Sequence, residues 1–384
     1  MAFAFNTSYA SVDMLRERAK LKIPKFAFEY LDGGCNNELN LAKNTKEIRD
    51  IELKPIYTKP FASADLKTSI LGMEYDLPFG ISPIGLQGLM WPGASEILAK
   101  AAFESNIPYI LSTVGTADIE TIAKITEGKA WFQLYHPKDI SIRDQLIQRC
   151  KDVDVPVLVI LADVPSFGYR PKEIKNGLSI PPKMTLRNIA QIVARPHWAL
   201  STLKHGQPSF KTLAPYIPKN LSLKHLGLFM NNMFSGRIDE NRIGQIRDLW
   251  KGKLVVKGIE SRVDADVMIK LGIDGIIVSN HGGRQLDQAQ SSIRALDNLV
   301  PLYKDKITIM MDSGIRSGTD IAGVLASGAE FGFLGRSFMY GVAALGTHGG
   351  DQVIHILKTE LKQVMEQVGC ENPNKLHNFL LGRK

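Results

Sequence analysis

Val155-Pro156-Val157-Leu158-Val159-Ile160-Leu161-Ala162-Asp163 is apolar throughout and then ends on a carboxylate. A strand with one face in water alternates apolar with polar residues; this one does not, so both of its faces are buried, as in a parallel sheet covered by helices. Seven further short apolar runs share the character: residues 78–83, 109–112, 131–135, 254–259, 275–280, 308–312 and 331–335. Amphipathic helical stretches such as 94–105 and 118–127 separate most of them. Eight buried strands with helical crossovers predict an α/β protein of the (β/α)8 TIM-barrel class. The alternative is a doubly wound open sheet, which eight near-regular repeats disfavour.

Outside the repeats lie two other regions. Residues 1–75 form an N-terminal helical segment ahead of a barrel over 76–369, the whole read as one domain. Val12, Leu15, Ala19 and Leu21 recur at helical spacing behind a Ser11 cap, and Pro24 opens a second helix carrying Phe26, Phe28, Tyr30 and Leu31, closed by Gly33-Gly34. The interval between Asp163 and Leu254 is far longer than the other spacings, so residues 166–235 are an insertion after the fourth strand. It is rich in proline and sets Ile180, Met184, Ile189, Ile192, Val193, Trp198 and Leu200 among Lys172, Lys175, Lys183, Arg187 and Arg195. Such a loop is a lid over a site or a contact with a membrane surface.

The composition narrows the class. With 44% hydrophobic and 22% charged residues among 384, the chain is neither disordered nor collagen-like. The net charge of +8 comes from scattered rather than blocked Lys and Arg, which argues against a nucleic-acid partner. Cys35, Cys150 and Cys370 have no metal or redox spacing, so no metal site is expected and a reducing compartment is. Neither a secretory h-region after Met1 nor an apolar run long enough to span a bilayer is present in the sequence, and a cytoplasmic location is expected.

Chemistry in a barrel sits at the C-terminal ends of its strands. Read in order, those ends are Pro83-Ile84-Gly85, Ser112-Thr113, Gln133 with Tyr135, Asp163, Lys257, Ser279-Asn280-His281, Asp312-Ser313-Gly314 and Gly335-Arg336. Any one of these could merely be a polar cap meeting water. One His, one Lys, two Asp and two Arg on a single rim are poorly explained that way. In Ser279-Asn280-His281-Gly282-Gly283-Arg284-Gln285 a histidine beside two glycines can enter a cleft as a general base, and Arg284 can hold a carboxylate with a two-pronged guanidinium. Asp312-Ser313-Gly314-Ile315-Arg316 and Gly335-Arg336 close the seventh and eighth strands, where barrels commonly cradle a phosphate.

These residues resemble the FMN-dependent L-2-hydroxy acid oxidases and dehydrogenases, from Pro24 to about Gly369. The most specific match is the segment from Ser279 to Gln285; Trp131-Phe132-Gln133-Leu134-Tyr135 and Val256-Lys257-Gly258 also fit, and the insertion, with His197-Trp198, is most similar to that of bacterial respiratory L-lactate dehydrogenases. The resemblance implies an FMN cofactor and oxidation of an L-2-hydroxy acid, most simply L-lactate, to the 2-oxo acid. It implies His281 as the base, Asp163 as its ionic partner, and Tyr30, Arg284 and Arg170 around the substrate carboxylate. Tyr135 would bond the substrate oxygen. Lys257 would stabilise reduced flavin, and Pro83, Gly85, Ser112, Gln133, Ser279 and Asp312 would line the flavin. Gly314, Arg316, Gly335 and Arg336 would hold its phosphate. A homo-oligomer is implied too.

Three positions depart from the family pattern: Leu161 where many relatives have Thr, Val114 where many have an aromatic residue, and Gly85 where several oxidases have Ala. They bear on substrate and electron acceptor rather than on the base. A quinone met at the cytoplasmic face of a membrane is the acceptor favoured by the insertion. An oxidase that makes hydrogen peroxide, or a flavin-binding barrel without catalysis, are the alternatives.

Overall fold

The computed structural model describes residues 3–178, 183–218, 229, 232–234 and 236–383. Eight parallel strands form its centre: β1 (Phe79–Ile81), β2 (Ile110–Ser112), β3 (Trp131–Leu134), β4 (Val157–Leu161), β5 (Lys253–Lys257), β6 (Gly275–Val278), β7 (Thr308–Met311) and β8 (Phe331–Leu334). Each pairs with its sequence neighbour from β2 to β8, β8 pairs with β1, and a parallel bridge between Ile81 and Tyr109 joins β1 to β2. The sheet therefore closes into the expected barrel rather than remaining open.

Side chains alternate along a strand, so each strand divides its residues between two cores. Ile110, Trp131, Val157, Val159, Val255, Ile277, Met310, Phe331 and Phe333 fill the interior. Their neighbours Leu158, Ile160, Leu254, Val256, Ile276, Val278, Ile309 and Met311 face outward into the layer under the helices. Continuing the inward rows two residues further gives Ser112, Gln133, Leu161, Lys257, Ser279, Asp312 and Gly335. The pleat that packs the interior thus also points the candidate site residues into the barrel mouth.

The first 75 residues hold helices α1 (Val12–Lys22), α2 (Lys25–Asp32) and α3 (Leu39–Arg49), with Ser11 accepting the Met14 amide as the cap of α1. They are not helical throughout. Ile51–Leu53 pairs antiparallel with Leu380–Arg383, tying the N-terminal segment to the C-terminal end. Thr68–Ile70 and Met73–Tyr75 form a hairpin that stoppers the lower end of the barrel. There the Tyr75 hydroxyl accepts from Trp131 Nε1 at 3.1 Å, and Ile70 and Tyr75 join the interior cluster. Strands of three residues, here joined by the two-residue turn Leu71-Gly72, leave little periodicity to read.

The insertion folds as short helices, Pro171–Lys175, Leu186–Val193 and Pro196–His205, then a 3-10 turn at Lys211–Tyr216. Two of the residues expected to be exposed there turn inward. Trp198 is only 5% exposed; its indole N–H donates to the Met90 carbonyl at 3.0 Å and its ring packs edge-on to Phe26. Ile192 is half-buried against the core. Ile180 lies outside the described residues.

Phe333 sits wholly inside the barrel against Trp131 and Phe331. Truncating such a side chain costs about 3–5 kcal/mol. Phe333→Ala is expected to lower the midpoint of chemical denaturation accordingly, whereas Leu302→Ala, at an exposed position, is expected to shift it by no more than about 0.5 kcal/mol.

Candidate active site

His281 follows β6 in a left-handed conformation (φ 59°), its amide donating to Ser279 Oγ at 3.1 Å. Its Nδ1 lies 3.1 Å from Asp163 Oδ1 at the end of β4, which leaves Nε2 as the free nitrogen. Burial pushes the imidazole pKa down; Asp163 opposes this, while Lys257 and Arg170 reinforce it. The net lowering keeps His281 neutral near pH 7, as a base must be. The loop is fixed from behind. Asn280 bonds Asn44 and Asn40 on α3, and Gln285 donates to the carbonyls of Asp163 and Ser166. Gly283 is needed for close approach rather than for a projecting histidine: a Cβ there would lie 2.5 Å from the Leu41 amide nitrogen.

Arg284 reaches back beneath α2. It donates to the Tyr30 and Gly33 carbonyls at 2.7 and 3.0 Å, and its guanidinium lies 5.0 Å from the Tyr30 ring centre. It also meets Glu173 at 2.6 Å, and Arg170 reaches the same carboxylate at 3.3 Å. Glu173 is the acid that sequence reasoning overlooked; Arg170-Pro171-Lys172-Glu173, opening a helix, has the i,i+3 spacing that could have marked it. The two arginines expected to hold a substrate carboxylate are thus bridged by a carboxylate of the insertion. Tyr30 and Tyr135 are pushed above the ordinary phenol pKa, chiefly by burial, so both stay protonated donors. The Tyr135 ring stacks edge-on against Phe234, from the end of the insertion, at 5.6 Å. A Cβ on Gly85 would lie 3.0 Å from Val114 and 3.9 Å from the Tyr30 hydroxyl, which places the turns after β1 and β2 beside α2.

Lys257 lies inside the mouth, 2.8 Å from Asp312 and 2.5 Å from Ser279 Oγ. Ser82, just before Pro83, donates to the same Asp312 at 2.9 Å. Burial alone would raise the Asp312 carboxyl; Lys257, Ser279 and Ser82 outweigh it and hold the pKa below the usual value. Ser112 and Gln133 are register partners on β2 and β3, with their side chains 3.4 Å apart.

An FMN phosphate needs an anion site, and the far side of the mouth offers one. Among the described residues Arg336 donates only to the Leu31 and Gly33 carbonyls, and Arg316 bonds its neighbour's carbonyl. Among the described residues neither guanidinium has an ion-pair partner, since nearby Asp32 is taken up by Arg16 and Tyr340. Enclosure, with Arg316 and Arg284 close by, pulls the Arg336 pKa down to about 9. Enclosed cations that repel each other are relieved by an anion. The residues fit the phosphate, with Gly335-Arg336 opening the helix Arg336–Leu345. Gly314 is adjacent but is required by packing: a Cβ there would strike the Asn44 backbone at 2.7 Å.

A closed parallel barrel with a histidine–carboxylate pair, a buried lysine and an anion cradle on its C-terminal rim defines a flavin-dependent oxidoreductase class. The chain belongs to the FMN-dependent dehydrogenase family, whose model matches residues 19–383. It is 33% identical over 375 residues to an L-lactate dehydrogenase of Caulobacter sp. (strain K31), covering 97% of this chain and 98% of that one. It is 34% identical over 369 residues to the (S)-mandelate dehydrogenase of Pseudomonas putida, covering 95% and 92%. A crystal structure of (S)-mandelate dehydrogenase, described as a monotopic membrane protein, superposes with a TM-score of 0.91 at 33% identity, over 99% of this chain and 100% of that one. The protein is an FMN-dependent 2-hydroxy acid dehydrogenase.

The pair geometry sets the pH response. A histidine serving as base works only when neutral, and the His281 pKa is lowered, so if it takes that role flavin reduction by substrate is expected to rise with pH through an ionisation below the usual histidine value and be level by pH 7. His281→Gln is expected to retain flavin yet slow reduction by about 10²–10⁴-fold, read by anaerobic stopped-flow absorbance.

Proposed function

We propose that the protein oxidises L-lactate, or a close small L-2-hydroxy acid, to the 2-oxo acid and passes the electrons to a quinone at a membrane surface. The observation that carries the substrate class is the pair of guanidiniums, Arg284 and Arg170, gathered beside Tyr30, Tyr135 and the His281–Asp163 pair. A substrate carboxylate would replace Glu173 between the arginines. Tyr30 and Tyr135 would donate to its carboxylate and to the oxygen being oxidised. His281 Nε2 would take the substrate's proton while Asp163 stabilises the imidazolium that forms. Bound FMN supplies the two-electron acceptor. Lys257 would hold a positive charge against the reduced ring; Pro83, Gly85, Ser112, Gln133, Ser279 and Asp312 would line it, and Gly314, Arg316, Gly335 and Arg336 would surround the phosphate. Val114, standing beside Gly85 in place of an aromatic ring, leaves more room around the substrate side chain.

The membrane reading rests on the insertion. Leu186, Ile189 and Val193 share one exposed face of their helix, and Leu200 and Leu203 share one on the next; Leu186 is 86% and Leu203 79% exposed. Lys183, Arg187 and Lys204 stand exposed among them. Burying one leucine contributes about 1.5–3 kcal/mol and each basic residue near an anionic surface about 1 kcal/mol, enough together for peripheral attachment. No described helix is long and apolar enough to cross a bilayer. Assembly as a homo-oligomer belongs to the same proposal.

Two measurements test the reading. Anaerobic titration with a panel of L-2-hydroxy acids is expected to bleach the flavin, with lactate ahead of mandelate, and turnover with a soluble quinone is expected to exceed turnover with oxygen. Fast peroxide formation without quinone activity would identify an oxidase. Leu186→Asp/Leu203→Asp is expected to abolish co-sedimentation with phosphatidylglycerol vesicles and to leave turnover with a soluble dye unchanged. Undiminished sedimentation would move the membrane contact elsewhere.

A further inference from the structure

Behind the His281–Asp163 pair lies a second carboxyl group to which the reaction outlined above gives no role. Glu260 stands three residues beyond β5, before Ser261, the cap of the helix Arg262–Lys270. Its backbone is held by Gln290, whose Nε2 donates to the Glu260 carbonyl at 3.1 Å. Its side chain turns into the protein: Oε1 is buried and, among the described residues, has no hydrogen-bond partner. Asp163 shows the same feature from the other side. One of its oxygens meets His281, and the other, Oδ2, is buried without a partner.

The chain brings the two groups close. Gly258, two residues before Glu260, passes so near Asp163 that a Cβ there would lie 2.5 Å from Asp163 Cβ and 2.6 Å from its carboxyl carbon. Only glycine, here at φ 97°, permits that approach. The charged groups acting on Glu260 are Asp163 after β4, Lys257 on β5 and Asp312 after β7. Lys257, which is also engaged with Asp312, opposes this repulsion without cancelling it. Two buried carboxylates with unpartnered oxygens repel unless one keeps its proton. Burial, reinforced by Asp163 and Asp312, pushes the Glu260 carboxyl up to about 8.

We propose that Glu260 is a positioning residue that sets a second buried carboxyl behind the His281–Asp163 pair, its unpartnered oxygen and that of Asp163 forming an acid cluster whose charge an arriving substrate carboxylate meets. The inference rests on the reading of His281 as the base. In its neutral form Glu260 leaves one negative charge behind the imidazole. Above its pKa a second appears, and that charge repels an arriving substrate carboxylate. The enzyme then carries an ionisation near pH 8 that belongs to Glu260 and not to the histidine. Loss of the proton releases it to solvent, and no oxidant or further reactant is involved.

The experiment uses the flavin-loaded enzyme and Glu260→Gln, which mimics the protonated form, with Glu260→Leu as a second variant of similar bulk. Infrared spectroscopy is expected to show a protonated-carboxyl C=O band in the parent at pH 7 that disappears between pH 7 and 9 and is missing from both variants. The dissociation constant for L-lactate, from anaerobic flavin titration, is expected to rise about tenfold over that interval in the parent and to stay level in Glu260→Gln. A band that persists in the variants, or a pH profile in Glu260→Gln that superposes on the parent's, overturns the inference. A His281→Gln variant that still reduces its flavin at the parent rate would instead refute the base assignment, and the infrared band would continue to test Glu260 independently.

Discussion

Charge held out of water at the mouth of the barrel is the constraint that the remaining structure answers. Lys257, Arg284 and Arg336 all sit within the rim, largely shielded from solvent. A buried cation is tolerated only with a partner, and removal of one partner from a buried pair costs about 3–5 kcal/mol. Each of the three finds a different solution. Lys257 has a fixed partner in Asp312. Arg284 has Glu173, from the insertion. Arg336 has, among the described residues, only carbonyl oxygens. The sites where cations crowd together, Arg284 with Arg170 around one carboxylate and Arg336 with no acid, are those where an anion from outside has the most to offer, and they are also those that fit a phosphate and a substrate carboxylate.

The same view explains why the N-terminal segment matters to the chemistry. The carbonyls of Tyr30, Leu31 and Gly33, at the C-terminal end of α2, accept from Arg284 and Arg336. A helix C-terminus carries unsatisfied carbonyls and partial negative charge, so it suits two guanidiniums. Asn40 and Asn44 on α3 hold Asn280 beside His281. The helices ahead of the barrel are therefore part of the rim.

Much of this architecture was legible in residues such as Val155 to Asp163, because unbroken apolar strands have few other uses and the side-chain period of two carries the inward row straight from the packed interior to Lys257, Ser279 and Asp312. The rim positions followed from that alternation, and the segment from Ser279 to Gln285 supplied the histidine and arginine. Other features depend on contacts between distant parts of the chain. Trp198 looked exposed because its partner, the Met90 carbonyl, is far away in sequence. The glycines at 283 and 314 also answer a demand that no local pattern shows, since a Cβ at either would meet the backbone of α3. Glu173 offered only its i,i+3 spacing from Arg170, and Glu260 was silent because a single acidic residue carries no pattern until its neighbours are known.

The account stands or falls on whether the enclosed guanidiniums recruit the carboxylate of the substrate. The most direct measurement compares anaerobic flavin reduction by L-lactate and by L-lactamide, which keeps the hydroxyl and the carbon skeleton but lacks the negative charge. An unanswered buried charge of about 3 kcal/mol predicts reduction by the amide at least about 100-fold slower than by the acid at equal subsaturating concentration. Equal rates for the two would contradict it.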